Sequence, residues 1–170
     1  MIVGGCSMEF TYFKDELELI LTQNPTEAEL YSILASLIRH QKNATSFALR
    51  DVSSRRISPM SKRFMSKSGF PDFIVMERAK HNQARIYGAI EIKRLTIDLT
   101  KKTFPYEKQI TDHLETFQKV LCTNGLYWEY KSLNTNWNVS LGILEKGVII
   151  WEEENWDILI KNLETINWKE

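Results

Sequence analysis

The chain has 170 residues, 43 % of them hydrophobic and 11 % aromatic, with 22 acidic and 22 basic side chains. That length suits one domain with a real core, and a formal charge of zero excludes any argument for a polyanionic partner from net charge alone. No segment approaches the roughly 20 apolar residues of a membrane span. The start lacks the basic region and apolar run of a signal peptide, and two cysteines, Cys6 and Cys122, are too few for a disulfide framework. A reducing, cytoplasmic setting without membrane attachment is therefore expected.

Residues 9–22 predict a short helix, with Phe13, Leu17, Ile20 and Leu21 at helical spacing. Asn24-Pro25 ends it. Thr26 to Glu29 fits a capping box, with the threonine at the N-cap and the glutamate three residues on. Leu30, Ile33, Leu34, Leu37 and Ile38 then make the apolar stripe of a second helix ending near His40. Glu27 lies one turn before Leu30 and Tyr31 and borders the buried face, while both Glu27 and Glu29 suit the positive end of the helix.

Residues 47–49 give a short strand, but from 41 to 68 periodicity is otherwise lost. This stretch predicts an exposed loop or hairpin carrying Arg50, Arg55, Arg56, Lys62, Arg63 and Lys67 among serines. Between residues 39 and 108 there are sixteen Lys/Arg against six Asp/Glu. So one-sided a charge within a neutral chain suits a polyanionic partner, which makes these side chains, with Arg94, candidate phosphate contacts, the alternative being a solvated charged loop.

Two strands follow, residues 73–76 and 86–93, joined by a polar turn around Lys80 to Gln83. Alternation puts Glu91 and Lys93 on one face of the second strand and Ile90 and Ile92 on the other. If the strands pair, Asp72 comes near Glu91 and Lys93, so two carboxylates and an ammonium meet at one edge of a small sheet. Close carboxylates repel unless a hard cation lies between them, and Mg²⁺ prefers such oxygen ligands. Thr103 to Pro105 opens a third helix, with Tyr106, Ile110, Leu114, Phe117 and Leu121 as its stripe and Asn124-Gly125 as its stop. Gln109 and His113, four apart, share one edge of it. His113 reads as a packing residue that is placed to titrate.

Residues 126–130 form an aromatic strand, 134–138 a turn, and 139–144 and 148–151 a hairpin around Glu145-Lys146-Gly147. A last helix starts at Glu152 to Glu154 and packs Trp156, Leu159, Ile160, Leu163 and Ile166 inward. The fold expected is α/β, a mixed central sheet with helices on its faces, with a core over about 26–150 and a C-terminal helix over 153–167.

Pro71-Asp72 followed by Glu91-Ile92-Lys93 resembles the PD-(D/E)xK nuclease superfamily. Ser68-Gly69-Phe70-Pro71-Asp72 and the later Gln109 are most similar to its VRR-NUC and Holliday-junction-resolvase-like branches. The resemblance covers roughly residues 26–122. It implies a restriction-endonuclease-like sheet, hydrolysis of phosphodiester bonds in DNA, and a Mg²⁺ cofactor that Mn²⁺ can replace. The ion would be held by Asp72, Glu91, the Ile92 carbonyl and Glu27. Catalysis would fall to Asp72, Glu91, Lys93 and Gln109, in a repair, recombination, restriction or mobile-element setting, and a homodimer is compatible with cutting two strands. Two rivals fit the same residues: a nucleic-acid-binding module that no longer cuts, and an RNA endonuclease of the same architecture.

Overall fold

The computed structural model describes residues 8–169. Helix α1 (Phe10–Gln23) buries Phe10, Phe13 and Leu17, and α2 (Glu27–Arg39) buries the predicted stripe of Leu30, Ile33, Leu34, Leu37 and Ile38. The capping box does not form. Thr26 occupies the N-cap with extended backbone but makes no side-chain cap bond. Glu29 instead accepts a hydrogen bond from Asn24 Nδ2 at 2.9 Å, which ties the joint between the two helices.

Six strands, β1 (Phe47–Asp51), β2 (Phe73–Glu77), β3 (Ile86–Ile92), β4 (Lys119–Thr123), β5 (Tyr127–Ser132) and β6 (Asn136–Ser140), lie side by side in that order. Every neighbouring pair is antiparallel except β3 and β4, which run parallel. Parallel neighbours need a long crossover, and α3 (Tyr106–Phe117) supplies it. One sheet face, with Phe73, Val75, Ile90, Ile92, Leu121 and Trp128, packs with α1, α2 and the C-terminal helix α4 (Trp156–Thr165). The opposite face carries Ile74, Met76 and Ala89 with Phe117, and Val120 and Cys122 with Ile110, beneath α3. The mixed sheet flanked by helices is the architecture expected. Among the described residues no helix is long and apolar enough to cross a membrane.

Several boundaries differ from expectation, among them the turn expected over 134–138, of which residues 136–138 belong to strand β6. The third helix ends at Phe117, not beyond Leu121: Gln118 takes a left-handed φ of 66° and the chain re-emerges as β4. Leu121 packs into one core cluster, Val120 and Cys122 into another. A strand buried on both faces reads as a continuous apolar run without alternation, and such a run extends a helical stripe equally well on paper. The strand expected over 139–144 divides at Leu141. Its second half, β7 (Gly142–Glu145), pairs with β8 (Val148–Trp151) in a separate hairpin, closed by Lys146 and Gly147 at φ of 49° and 81°, as a tight two-residue turn requires. The final helix starts later, after a 3₁₀ turn at Glu153–Asn155.

Candidate active site

The β2–β3 pairing sets Phe73 opposite Ile90, and one further step along that register brings Asp72 opposite Glu91. The backbone of Ile92 confirms the approach: its N–H donates to Asp72 Oδ2 at 2.6 Å. The other carboxylate oxygen, Oδ1, accepts the hydroxyl of Tyr31 from α2. Just past the end of β3, Lys93 Nζ lies 2.6 Å from Glu91 Oε1. The same ammonium donates to Gln109 Oε1 on α3 at 2.8 Å and sits 5.1 Å from the centre of the Tyr106 ring. The second oxygen of Glu91 meets His113 Nε2 at 3.1 Å. Asp72, Glu91 and Lys93 are only 7 %, 3 % and 5 % exposed. The four residues expected to carry catalysis are thus brought together by one strand pair and one helix.

Burial shapes their charges. Loss of water, then the neighbouring Glu91 charge, raise the Asp72 pKa from 3.8 to about 7, against the hydrogen bonds from Tyr31 and Ile92. Burial opposes the Lys93 charge, but Glu91, with Glu27 and Asp72 behind it, outweighs burial and leaves the ammonium harder to deprotonate than usual. Glu27 is half-buried at the head of α2. Burial and then Glu91 raise its pKa, while Lys93 and the charge and backbone N–H of Arg94 hold it down. Glu27 therefore belongs to the site's electrostatics, whereas Glu29 is engaged with Asn24.

The donors fit a hard divalent cation in kind: two buried carboxylates, a third at the helix head, and the carbonyl of Ile92. A cation held by Asp72 and Glu91 would offset the burial and the repulsion that raise the Asp72 pKa. Both carboxylates arrive already hydrogen-bonded, so ligation would draw on their remaining lone pairs. Among the described residues no group of three or more His, Cys, Asp or Glu side chains forms a metal-type cluster.

The basic residues have mixed fates. Arg56, Lys62 and Arg94 are exposed. Arg55 and Arg63 lie over the Phe64 ring at 5.0 and 5.5 Å. Arg63 also donates to the carbonyls of Asn82 (2.6 Å) and Ala84, so it pins the loop before β2 to the β2–β3 turn. Lys67 pairs with Glu115 of α3 at 2.7 Å. Arg50 on β1 is exposed, with its guanidinium on the Leu49 carbonyl at 3.1 Å. The loop is largely exposed, as expected, and its end is tied to α3 through Lys67–Glu115, Ser68–Asp112 and Ser66–His113.

Two partners escaped the sequence. Tyr31 stands one turn after Glu27, the only hint that it shares Glu27's edge. His113, read as packing, is fully buried, yet its two ring nitrogens bridge Ser66 Oγ (2.8 Å) and Glu91. Its spacing of four from Gln109 was visible, but its partner on another element was not.

No family model and no curated protein matches the chain. A solved chain in a structure described as "cryoEM structure DrdV-DNA complex" matches 92 % of this chain and 95 % of its own length, at a TM-score of 0.57 and 12 % identity. At that identity the likeness is one of fold. The chain is a mixed α/β protein whose sheet-and-helix architecture is shared with a chain of the DrdV–DNA complex.

Proposed function

We propose that this protein is a divalent-metal-dependent endonuclease hydrolysing phosphodiester bonds in DNA, of the PD-(D/E)xK kind that its Pro71-Asp72 and Glu91-Ile92-Lys93 resemble. The observation that carries the reading is the buried set of Asp72, Glu91 and Lys93, with Gln109 holding the lysine from the side. The fold likeness to a chain in a DNA complex supports nucleic acid as the partner. Asp72, Glu91 and the Ile92 carbonyl, with Glu27, would hold Mg²⁺ or Mn²⁺. Bound there, such an ion acidifies water and neutralises charge developing on the scissile phosphate. The chain's own groups do the positioning. Glu91 and Gln109 fix the Lys93 ammonium in place. Its carboxylate neighbours favour the charged ammonium, so Lys93 is assigned to stabilising charge and orienting the attacking water.

A second reading has an observation of its own. Both Glu91 oxygens are taken by protein partners, which suits a module that binds nucleic acid without cutting it. One experiment separates the readings: incubation with single-stranded, duplex and branched DNA and with RNA, in Mg²⁺, Mn²⁺ and EDTA. The nuclease reading predicts DNA cleavage in either metal and none in EDTA. Binding without cleavage in every metal favours the non-cutting module, and cleavage of RNA alone moves the substrate class.

A further inference from the structure

A second site, this one basic, lies at the far end of the elements that build the first. Helix α2 presents Glu27 and Tyr31 to the site at its start and Arg39 at its end, and β2 runs from beside Asp72 to Glu77. Between the end of α2, the edge strand β1 and the exit of β2 is a cavity of about 560 Å³ lined by Arg39, Arg50, Arg78 and Lys80, with Gln41 and Glu77. That volume is in the range of small-ligand sites. All four cations are exposed, and among the described residues none of them is in a salt bridge. Glu77, the one carboxylate lining it among the described residues, accepts the backbone N–H of Arg85 at 3.2 Å. Gln41 adds an unusual feature. It is 7 % exposed, its amide N–H is fixed on the Leu37 carbonyl at 2.8 Å, and its Oε1 is buried without a partner among the described residues. Several positive charges around a cavity favour a phosphate, and the orphan acceptor favours a ligand that also carries an N–H or O–H donor.

We propose that this cavity binds a nucleotide: its phosphate among Arg39, Arg50, Arg78 and Lys80, its sugar or base read by Gln41. The nucleotide is either free or one unit of a strand. In the second case the span of α2, 13 residues at about 1.5 Å each or roughly 20 Å, sets the cavity about five or six base pairs from Asp72, at roughly 3.4 Å per phosphate along a strand. The claim is about binding and does not depend on cleavage, so it is tested in EDTA.

Titration calorimetry with dAMP, adenosine and inorganic phosphate, and anisotropy with labelled duplexes of increasing length, are run on the wild type, on Arg39→Glu/Arg78→Glu, and on Arg78→Ala alone as a milder variant. Thermal melts check that each variant folds. The proposal predicts that dAMP binds at least tenfold more tightly than adenosine and that both variants weaken dAMP, the double variant by tenfold or more. An unchanged DNA affinity in the variants then assigns the site to a free nucleotide. A tenfold loss that appears only for duplexes beyond about six base pairs assigns it to the strand. Folded variants that bind dAMP and DNA as the wild type does overturn the proposal, and cleavage measured separately in Mg²⁺ leaves the nuclease reading to stand or fall on its own.

Discussion

Burial gives Asp72 an electrostatic cost, and that cost has a sign that can be measured. In the unfolded chain it ionises near 3.8, in the fold near 7. Between those values the native state holds the proton that the unfolded state has lost. The stabilisation is therefore complete below 3.8 and disappears as pH rises through 7. Asp72→Asn removes the titration, and Tyr31 can turn its hydroxyl to accept from the new amide. In metal-free buffer, thermal melts should show the variant gaining on the wild type between pH 5 and pH 8 by on the order of 1 kcal/mol or more. An equal gap at both pH values contradicts this. The Tyr31 hydroxyl lowers the Asp72 pKa, so Tyr31→Phe should drive it further up in a carboxyl NMR titration; a fall would show that the hydroxyl does not stabilise the charge. At this scale the sequence named Asp72, Glu91, Lys93 and Gln109, because strand alternation and a motif of a few letters suffice for residues on one strand pair and the next helix. Tyr31 and the Glu91–His113–Ser66 bridge depend on contacts between distant segments, which no local pattern encodes.

Among the elements, β3 is the one on which the site depends, since its parallel pairing with β4 beneath α3 holds Glu91 against His113. Gly88 on β3 permits the close approach of its neighbours. A Cβ there would lie 2.6 Å from Trp168 Cζ3 and 2.8 Å from the Lys119 carbonyl. Trp168 in turn packs on Tyr130 and Phe47. Gly88→Ala should therefore cost about 1–3 kcal/mol in urea denaturation, and an unchanged midpoint would show that Trp168 moves aside freely. Helices α1, α2 and α4 were legible because their buried faces are periodic. Strand β4 was not, because Val120, Leu121 and Cys122 are buried on alternate faces and continue the α3 stripe; the left-handed turn at Gln118 that separates the two carries no glycine to announce it.

Across the whole molecule, the neutral total conceals a basic middle segment flanked by acidic ends. Charge counting located that segment but overstated its reach, for Arg63 and Lys67 hold the loop to its neighbours while Arg39, Arg78 and Lys80 gather around a cavity. DNA affinity carried by such contacts should fall steeply as salt rises, with a log–log slope near −0.9 per phosphate contacted; anisotropy titrations from low to physiological salt check it, and a flat response would remove the backbone contacts. The central claim rests on Lys93 in its frame of Glu91 and Gln109. The most direct test is the single-turnover rate of duplex cleavage in Mg²⁺ for Lys93→Ala beside the wild type, with circular dichroism confirming the fold. A fall of about 10²–10³-fold, as for loss of a charge-stabilising donor, is the predicted result, and a folded variant that cuts at the wild-type rate would contradict it.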